Sequence, residues 1–330
     1  MPTPHLSLCT ILSESKRIIK AHSRHFLALS VLFLLPLSFS IVVFPTLQQL
    51  LHFTTHNSRT LLSHAIYHST FDKQSLLLTL LYLGFTFVLS LCAVGSITYS
   101  VFHGFYGRPV KFMSAIKSIV VSFFPLLATI LLCQIIMSGI IAFFVIVVFL
   151  VVKFVNFVGF QCEYSYSSPF FVGCILLLII FLLLILVYLQ VNWVLVAVVV
   201  VVESSWGFKA LKRSKYLVKG YSFVALSQSS CFAFLVGILI WSSSDLGTRF
   251  GGISKGWSWA FVLQIVIAST LLMLLFLYNI AANTLLYMYC KAIHGELAME
   301  IAEEFAEEYV SLPFDNGKVP HLVSAVYNGY

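Results

Sequence analysis

Residues 164–202 read YSYSSPFFVGCILLLIIFLLLILVYLQVNWVLVAVVVVV and contain no Lys, Arg, Asp or Glu. A helix rises about 1.5 Å per residue, so about 20 apolar residues are enough to cross a hydrocarbon core about 30 Å thick. This stretch exceeds that length and predicts a membrane-spanning helix. Hydrophobic residues make up 60% of the 330-residue chain and charged residues only 9%, a balance that excludes an ordinary soluble domain.

Five further stretches also lack charged residues and are long enough to span a membrane. They are 26–58, 74–107, 118–152, 220–244 and 256–290. The sequence therefore predicts an all-α polytopic membrane protein with six transmembrane helices. We place these helices at 26–48, 75–103, 119–152, 169–202, 221–242 and 258–290. The third and fourth exceed one crossing, so we expect strong tilt, or an apolar extension such as 194–202 that lies along the interface or against other helices.

The basic residues between the spans predict the orientation of the chain. Alternate connecting segments carry 14 Lys and Arg on the side of both termini and 5 on the opposite side. Because loops rich in Lys and Arg stay cytoplasmic, both termini are predicted to be cytoplasmic. The basic residues sit beside the spans, so the net charge of +7 indicates topology and contact with anionic lipids rather than nucleic-acid binding.

A basic, amphipathic segment precedes the first, third and fifth spans. The segments lie at 13–20, 111–117 and 208–217 and predict cytoplasmic interfacial helices. Their spacing of about 100 residues is typical of a three-fold repeat of one such helix and a two-span hairpin, although ordinary basic loops would give the same pattern. In the third segment, Leu211 and Tyr216 are expected in the headgroup boundary. The candidate lipid contacts are Lys209, Lys212, Arg213, Lys215 and Lys219.

The C-terminal segment is acidic. Leu297, Ile301, Phe305 and Tyr309 recur every four residues and form one apolar stripe of a helix, whose other faces carry six Glu residues. We expect the stripe to dock on the basic cytoplasmic segments; a solvated helix, or one that binds a protein partner, is the alternative. The predicted domains are a basic amphipathic segment at 1–25, a six-span domain at 26–292, and an acidic helix with an extended tail at 293–330.

Candidate binding residues are few. Asn192, Asn279 and Asn283 lie inside spans and are the candidates for a solute path, but hydrogen bonds between helices explain them more simply. Four histidines could pair on helical faces to bind a metal, although a polar loop is the interpretation that we favour. They are His52, His56, His64 and His68. No catalytic pattern occurs, so the sequence predicts a chain that is not an enzyme and needs no cofactor or metal.

Two stretches carry a resemblance to known proteins. They are Glu203-x3-Gly207-x2-Ala210-Leu211-x2-Ser214-x2-Leu217-x2-Gly220, and Leu312-Pro313-Phe314-Asp315 with Lys318-Val319-Pro320-His321. The chain resembles a plant family of six-span membrane proteins of unknown function and, more distantly, the membrane part of bacterial glycerophosphodiester phosphodiesterases. The resemblance implies a protein of the endoplasmic reticulum, another endomembrane or the plasma membrane. It brings no catalytic residues, because the soluble phosphodiesterase domain is missing.

Two functions follow as expectations. The first is a non-catalytic multi-pass membrane protein that organises lipids, partner proteins or trafficking, with membrane lipids as partners and a protein partner at the C-terminal tail. The second is a transporter or channel for a neutral or lipid-like solute, lined by the three asparagines.

Overall fold

The computed structural model describes residues 7–60, 73–107, 111–157, 169–250 and 259–297, together with 299 and 302. Within these residues the secondary structure is helical and includes no strand. A π-helical turn, Ser30–Leu34, continues α2 into α3. The α-helices are α1 Leu8–Ala21, α2 Ser23–Leu29, α3 Leu35–Thr60, α4 Lys73–Phe105, α5 Phe112–Phe157, α6 Pro169–Asn192, α7 Val196–Glu203, α8 Phe208–Val218, α9 Ser222–Phe250 and α10 Trp259–Ile293.

Six helical segments among the described residues are long and apolar enough to cross a membrane. They are Ser23–Pro45, Leu76–Phe105, Phe112–Leu150, Ile175–Glu203, Ser222–Ser243 and Phe261–Ile293. These segments overlap the six predicted spans one by one and confirm the all-α, six-span prediction. The chain is an integral, multi-pass membrane protein.

Large apolar side chains cover much of the outside of the bundle. Phe143 of α5, Leu184 of α6 and Phe234 of α9 are each more than half exposed. Such a surface is unstable in water but matches the hydrocarbon of a bilayer.

The buried core lies mainly where the short helices α1, α7 and α8 pack against the long helices. Helix α1 inserts Ile11 and Ile18 between α4 and α10, and Tyr289 near the end of α10 lies close to Glu14 of α1. The first helix and the end of the last span therefore meet at one end of the bundle. An even number of crossings requires this arrangement.

The fourth apolar stretch is divided into two helices. Helix α6 ends at Asn192, residues 193–195 form a turn, and α7 follows as a separate helix. Val198, Val199 and Val200 of α7 are almost completely buried, and α7 packs against α4, α5, α8 and α10. The predicted extension at 194–202 therefore packs against other helices.

The third span forms one continuous helix. Helix α5 has 46 residues, which corresponds to about 69 Å at 1.5 Å per residue, and Pro125 does not end it. The basic segment at 111–117 forms the beginning of α5 instead of a separate interfacial helix. A separate short helix therefore precedes the first and fifth spans, whereas the segment before the third span is continuous with that span. The three-fold repeat stays a prediction.

Candidate functional site

The candidate site is built around helix α8, which two turns hold in place. Ser204 adopts a left-handed conformation with φ of 51°, and Gly207 has φ of 67°, a value that favours glycine. The N–H of Gly207 donates a hydrogen bond of 2.9 Å to Oγ1 of Thr129 on α5. At the other end, Gly220 with φ of 95° turns the chain from α8 into α9. These turns fix both ends of α8 relative to the spans.

The apolar face of α8 is packed against the protein. Ala210, Leu211, Ser214 and Leu217 are buried, and the hydroxyl of Ser214 donates a 2.7 Å hydrogen bond to the backbone carbonyl of Asn192 at the end of α6. The prediction that Leu211 lies in the headgroup boundary is therefore wrong, because α6 and α7 cover this face and leave Leu211 only 6% exposed. These four buried residues, together with Glu203 and the turn glycines Gly207 and Gly220, make up the sequence pattern that carries the family resemblance.

The opposite face of α8 and the turn before it are exposed. Their side chains combine lysines with large aromatic groups, such as Trp206 and Phe208, which are 64% and 69% exposed. We call this set the basic-aromatic surface. It consists of Lys209, Lys212, Lys215 and Lys219 with Trp206, Phe208 and Tyr216. Amphipathic aromatic rings and lysines are the side chains that concentrate at the membrane–water boundary.

Arg213 does not belong to the basic-aromatic surface. Its Nε donates to both carboxylate oxygens of Glu203 at 3.1 and 3.0 Å, and its two Nη groups donate to the two oxygens of Glu296, the first at 2.9 Å. The hydroxyl of Tyr287 donates to Oε1 of Glu203 at 2.8 Å. These four residues form the Arg213 cluster, which ties α8 to the end of α7 and to the segment after α10. Arg213 was predicted to contact lipid; the structure places it between two carboxylates.

The electrostatics of the Arg213 cluster follow from these bonds. The hydrogen bond with Arg213 is the main reason that the pKa of Glu296 lies below its usual value. The hydrogen bond with Glu296 likewise raises the pKa of Arg213 above its usual range. Both groups therefore carry their full charges at neutral pH. Sequence reasoning treated Glu296 as one of six equivalent Glu residues, and only its place directly after the last span distinguishes it.

The predicted docking stripe is described only at its first residue. Leu297 is partly buried and packs against the core, whereas Met299 beside it is 65% exposed. Ile301, Phe305 and Tyr309 lie outside the described residues.

Asn192 lies at the end of α6, whereas Asn279 and Asn283 lie one turn apart on α10. Asn192 is buried, and its amide donates to the carbonyl of Tyr188 in its own helix at 2.7 Å. Asn283 accepts a 2.8 Å hydrogen bond from the amide of Gln228 on α9, and Asn279 is half-buried on α10. Sequence reasoning missed Gln228, although its place inside a charge-free window was a signal for an interhelical bond.

The described residues contain no group of three or more His, Cys, Asp or Glu that could hold a metal ion. The structure describes no side chain of the four histidines that were considered as metal ligands. His64 and His68 are not among the described residues, and His52 and His56 lie in α3, in a part where only the backbone is described.

Comparison with known families gives a match over most of the chain. A family model described as a domain of unknown function, DUF8558, covers residues 3–316. No curated protein and no solved structure matches the chain. Because the match extends over nearly all of the sequence, the chain belongs to the DUF8558 family.

Proposed function

We propose that the chain is a non-catalytic membrane protein that organises anionic lipids at the cytoplasmic face of its membrane. One observation carries this proposal. The inner face of α8 is fixed to the bundle, so its outer side holds four lysines and three aromatic rings in a defined position. A surface of this composition is suited to anionic headgroups, with aromatic rings at the level of the glycerol groups.

The strength of the contact is expected to be mainly electrostatic. An isolated amphipathic helix binds a membrane by burying its apolar face, but here that face is buried in the protein. Each lysine near an anionic surface contributes about 1 kcal/mol, so four lysines contribute about 4 kcal/mol at most. At physiological ionic strength, salt largely screens the attraction between exposed charges that are more than about 8–10 Å apart.

The orientation and the membrane are part of the proposal. The excess of basic residues on the side of both termini supports a cytoplasmic position for α8, where the leaflet is negatively charged. The resemblance to a plant six-span family supports an endomembrane, such as the endoplasmic reticulum, or the plasma membrane. The acidic tail remains the proposed contact for a protein partner, and trafficking or lipid organisation is the proposed role.

The transport alternative has less support. It needs Asn192, Asn279 and Asn283 along one solute path, but the amides of Asn192 and Asn283 make hydrogen bonds within the bundle. These bonds favour packing. Flux of a neutral solute through vesicles that contain the purified protein would instead favour transport.

The test is enrichment of anionic lipid around the purified protein in bilayer discs of mixed phosphatidylserine and phosphatidylcholine. In the test variant, Lys209, Lys212, Lys215 and Lys219 are replaced by Gln. The control variant loses the same charge from the same side through Lys16, Lys20, Lys111 and Lys117, which are also exposed and are replaced by Gln.

We expect the wild type to enrich phosphatidylserine, and the α8 variant to lose most of this enrichment while the control variant retains more than half. Equal losses in the two variants would contradict a specific role of α8, because net charge alone would then explain the effect. Unchanged enrichment in the α8 variant would reject the proposed contact altogether.

A further inference from the structure

A second feature of the membrane-facing surface is a partly open cleft of about 200 Å³ between α5 and the break that separates α6 from α7. Gln134 of α5, Gln190 of α6 and Trp193 in the break are among the residues that line it, and each has a side chain that can form hydrogen bonds. The other lining side chains are apolar, apart from the thiol of Cys133. Three residues with hydrogen-bonding side chains thus line one small space from two sides.

The two amides are unusual in their surroundings. Gln134 and Gln190 are exposed, while Leu131 and Ile135 beside Gln134 are exposed apolar side chains of the kind that face hydrocarbon. An amide beside apolar groups is unfavourable unless its N–H and C=O groups are hydrogen-bonded. A polar group that occupies the cleft would satisfy both amides. The structure therefore favours an occupant that carries hydrogen-bonding groups.

The cleft lies close to α8. Thr129, which accepts the hydrogen bond from Gly207, directly precedes the lining residue Ile130. Asn192, whose carbonyl accepts the hydrogen bond from Ser214, directly precedes Trp193. The cleft therefore lies beside the turn before α8 and the inner face of α8. If α8 is at the membrane surface, as proposed above, the cleft lies at the depth of lipid hydroxyl and ester groups.

We propose that this cleft binds the polar end of an uncharged, hydroxyl-bearing lipid of the diacylglycerol, ceramide and sterol class. An amide both donates and accepts hydrogen bonds, and an indole N–H donates, which together suit a hydroxyl group and an ester or amide carbonyl. None of the described residues that line the cleft is Lys, Arg, His, Asp or Glu, so a charged headgroup would lose its hydration without gaining a counter-charge from them.

The size of the cleft supports this assignment. A cleft of about 200 Å³ is larger than the roughly 30 Å³ that one water occupies in the liquid, but smaller than the 300–1,000 Å³ of pockets that enclose drug-sized ligands. It holds the polar end of a lipid and leaves the hydrocarbon part outside. Exposed apolar side chains on both flanking helices, such as Ile135 of α5 and Leu184 of α6, provide a surface for that hydrocarbon part.

The experiment uses the full chain in phosphatidylcholine discs with a photoactivatable diacylglycerol, and a photoactivatable phosphatidylserine as the comparison probe. The test variant combines Gln134→Leu with Gln190→Leu. Gln264→Leu is the matched control, since Gln264 also lies inside a span but does not line the cleft. Labelled positions are mapped by peptide mass spectrometry.

We expect the diacylglycerol probe to label peptides containing 130–137 or 190–197, and this labelling to fall at least tenfold in the double variant but not in Gln264→Leu. Labelling elsewhere in the wild type, or equal labelling by phosphatidylserine, would overturn the proposal. The α8 lysine variant separates the two proposals, because it should lose phosphatidylserine enrichment and keep diacylglycerol labelling.

Discussion

Replacing Arg213 by Gln should destabilise the end of the bundle where α7, α8 and α10 meet. The change removes the guanidinium that donates to both carboxylates, Glu203 and Glu296, and leaves two negative charges close together. The side chains of Arg213, Glu203 and Glu296 are 25%, 21% and 30% exposed, so the cluster is intermediate between a buried and a surface ion pair.

The loss of stability expected for Arg213→Gln lies between two limits. Breaking a buried ion pair costs about 3–5 kcal/mol, whereas an exposed pair contributes only about 0–1 kcal/mol. For a cluster with this partial exposure we expect a loss of about 2 kcal/mol. For 330 residues with an unfolding entropy of about 2.1 cal/mol/K per residue, each kcal/mol corresponds to about 1.4 °C, so the midpoint of thermal unfolding should fall by about 3 °C. The assay is thermal unfolding of the purified protein in detergent, monitored by the loss of helical circular dichroism.

The pH dependence of the unfolding stability gives a second test of the Arg213 cluster. The pKa of Glu296 is lowered in the folded protein, so its contribution to stability is complete above the pKa of an unfolded Glu, about 4.3, and is lost as the pH falls through the folded value. The difference between wild type and Arg213→Gln should therefore be complete at pH 7 and should shrink below about pH 4.

Lys212→Gln is the control, because this neighbouring side chain is exposed and belongs to the basic-aromatic surface. It should change the unfolding midpoint by less than 1 °C, in line with the small effects of surface substitutions. Arg213→Lys, which keeps the charge but cannot form the bidentate bonds, should lie between the wild type and Arg213→Gln. If Arg213→Gln unfolds at the same temperature as Lys212→Gln, the Arg213 cluster does not hold α8 in place.

Three further predictions concern single contacts and topology. Ser214→Leu places a larger side chain at a fully buried position and removes the bond to Asn192, so it should cost about 1–3 kcal/mol and lower the unfolding midpoint, whereas Lys215→Leu on the outer side should not. Gln228→Leu leaves the side-chain oxygen of Asn283 without its donor and should cost about 0.6–2 kcal/mol in the same assay; no change would show that the bond is energetically neutral. Tags at residues 1 and 330 should be reached by a cytoplasmic reagent and a tag near Thr60 should not; a protected C-terminal tag would contradict the orientation.

The six spans could be predicted from sequence because hydrophobic length is a local property. The window 164–202 also showed that one crossing could not use all of its residues, and α7 is the packed remainder. The sequence could not show where the break falls, because residues 193–195 include neither Gly nor Pro and the turn depends on what α7 packs against.

The orientation of α8 was less predictable, for a physical reason. A helix with lysines on one side and apolar residues on the other is compatible with burial in a membrane or against a protein. Leu211 is buried because α6, α7 and α10 pack against α8. Arg213 lies at the edge of the two faces, and its role depends on Glu296, which is 83 residues away in sequence. The placement of Gln134 and Gln190 around one cleft likewise depends on contacts between α5 and α6.

The most direct test of the central claim compares two adjacent positions of α8 in membranes that contain phosphatidylserine. A photoreactive phenylalanine derivative replaces Tyr216, which belongs to the basic-aromatic surface, or Leu217, which is completely buried. We predict that the group at 216 forms adducts mainly with lipid, and mostly with phosphatidylserine, while the group at 217 forms adducts within the protein. Adducts at 216 that are mainly protein, or that show no preference for the anionic lipid, would contradict the proposed role of α8.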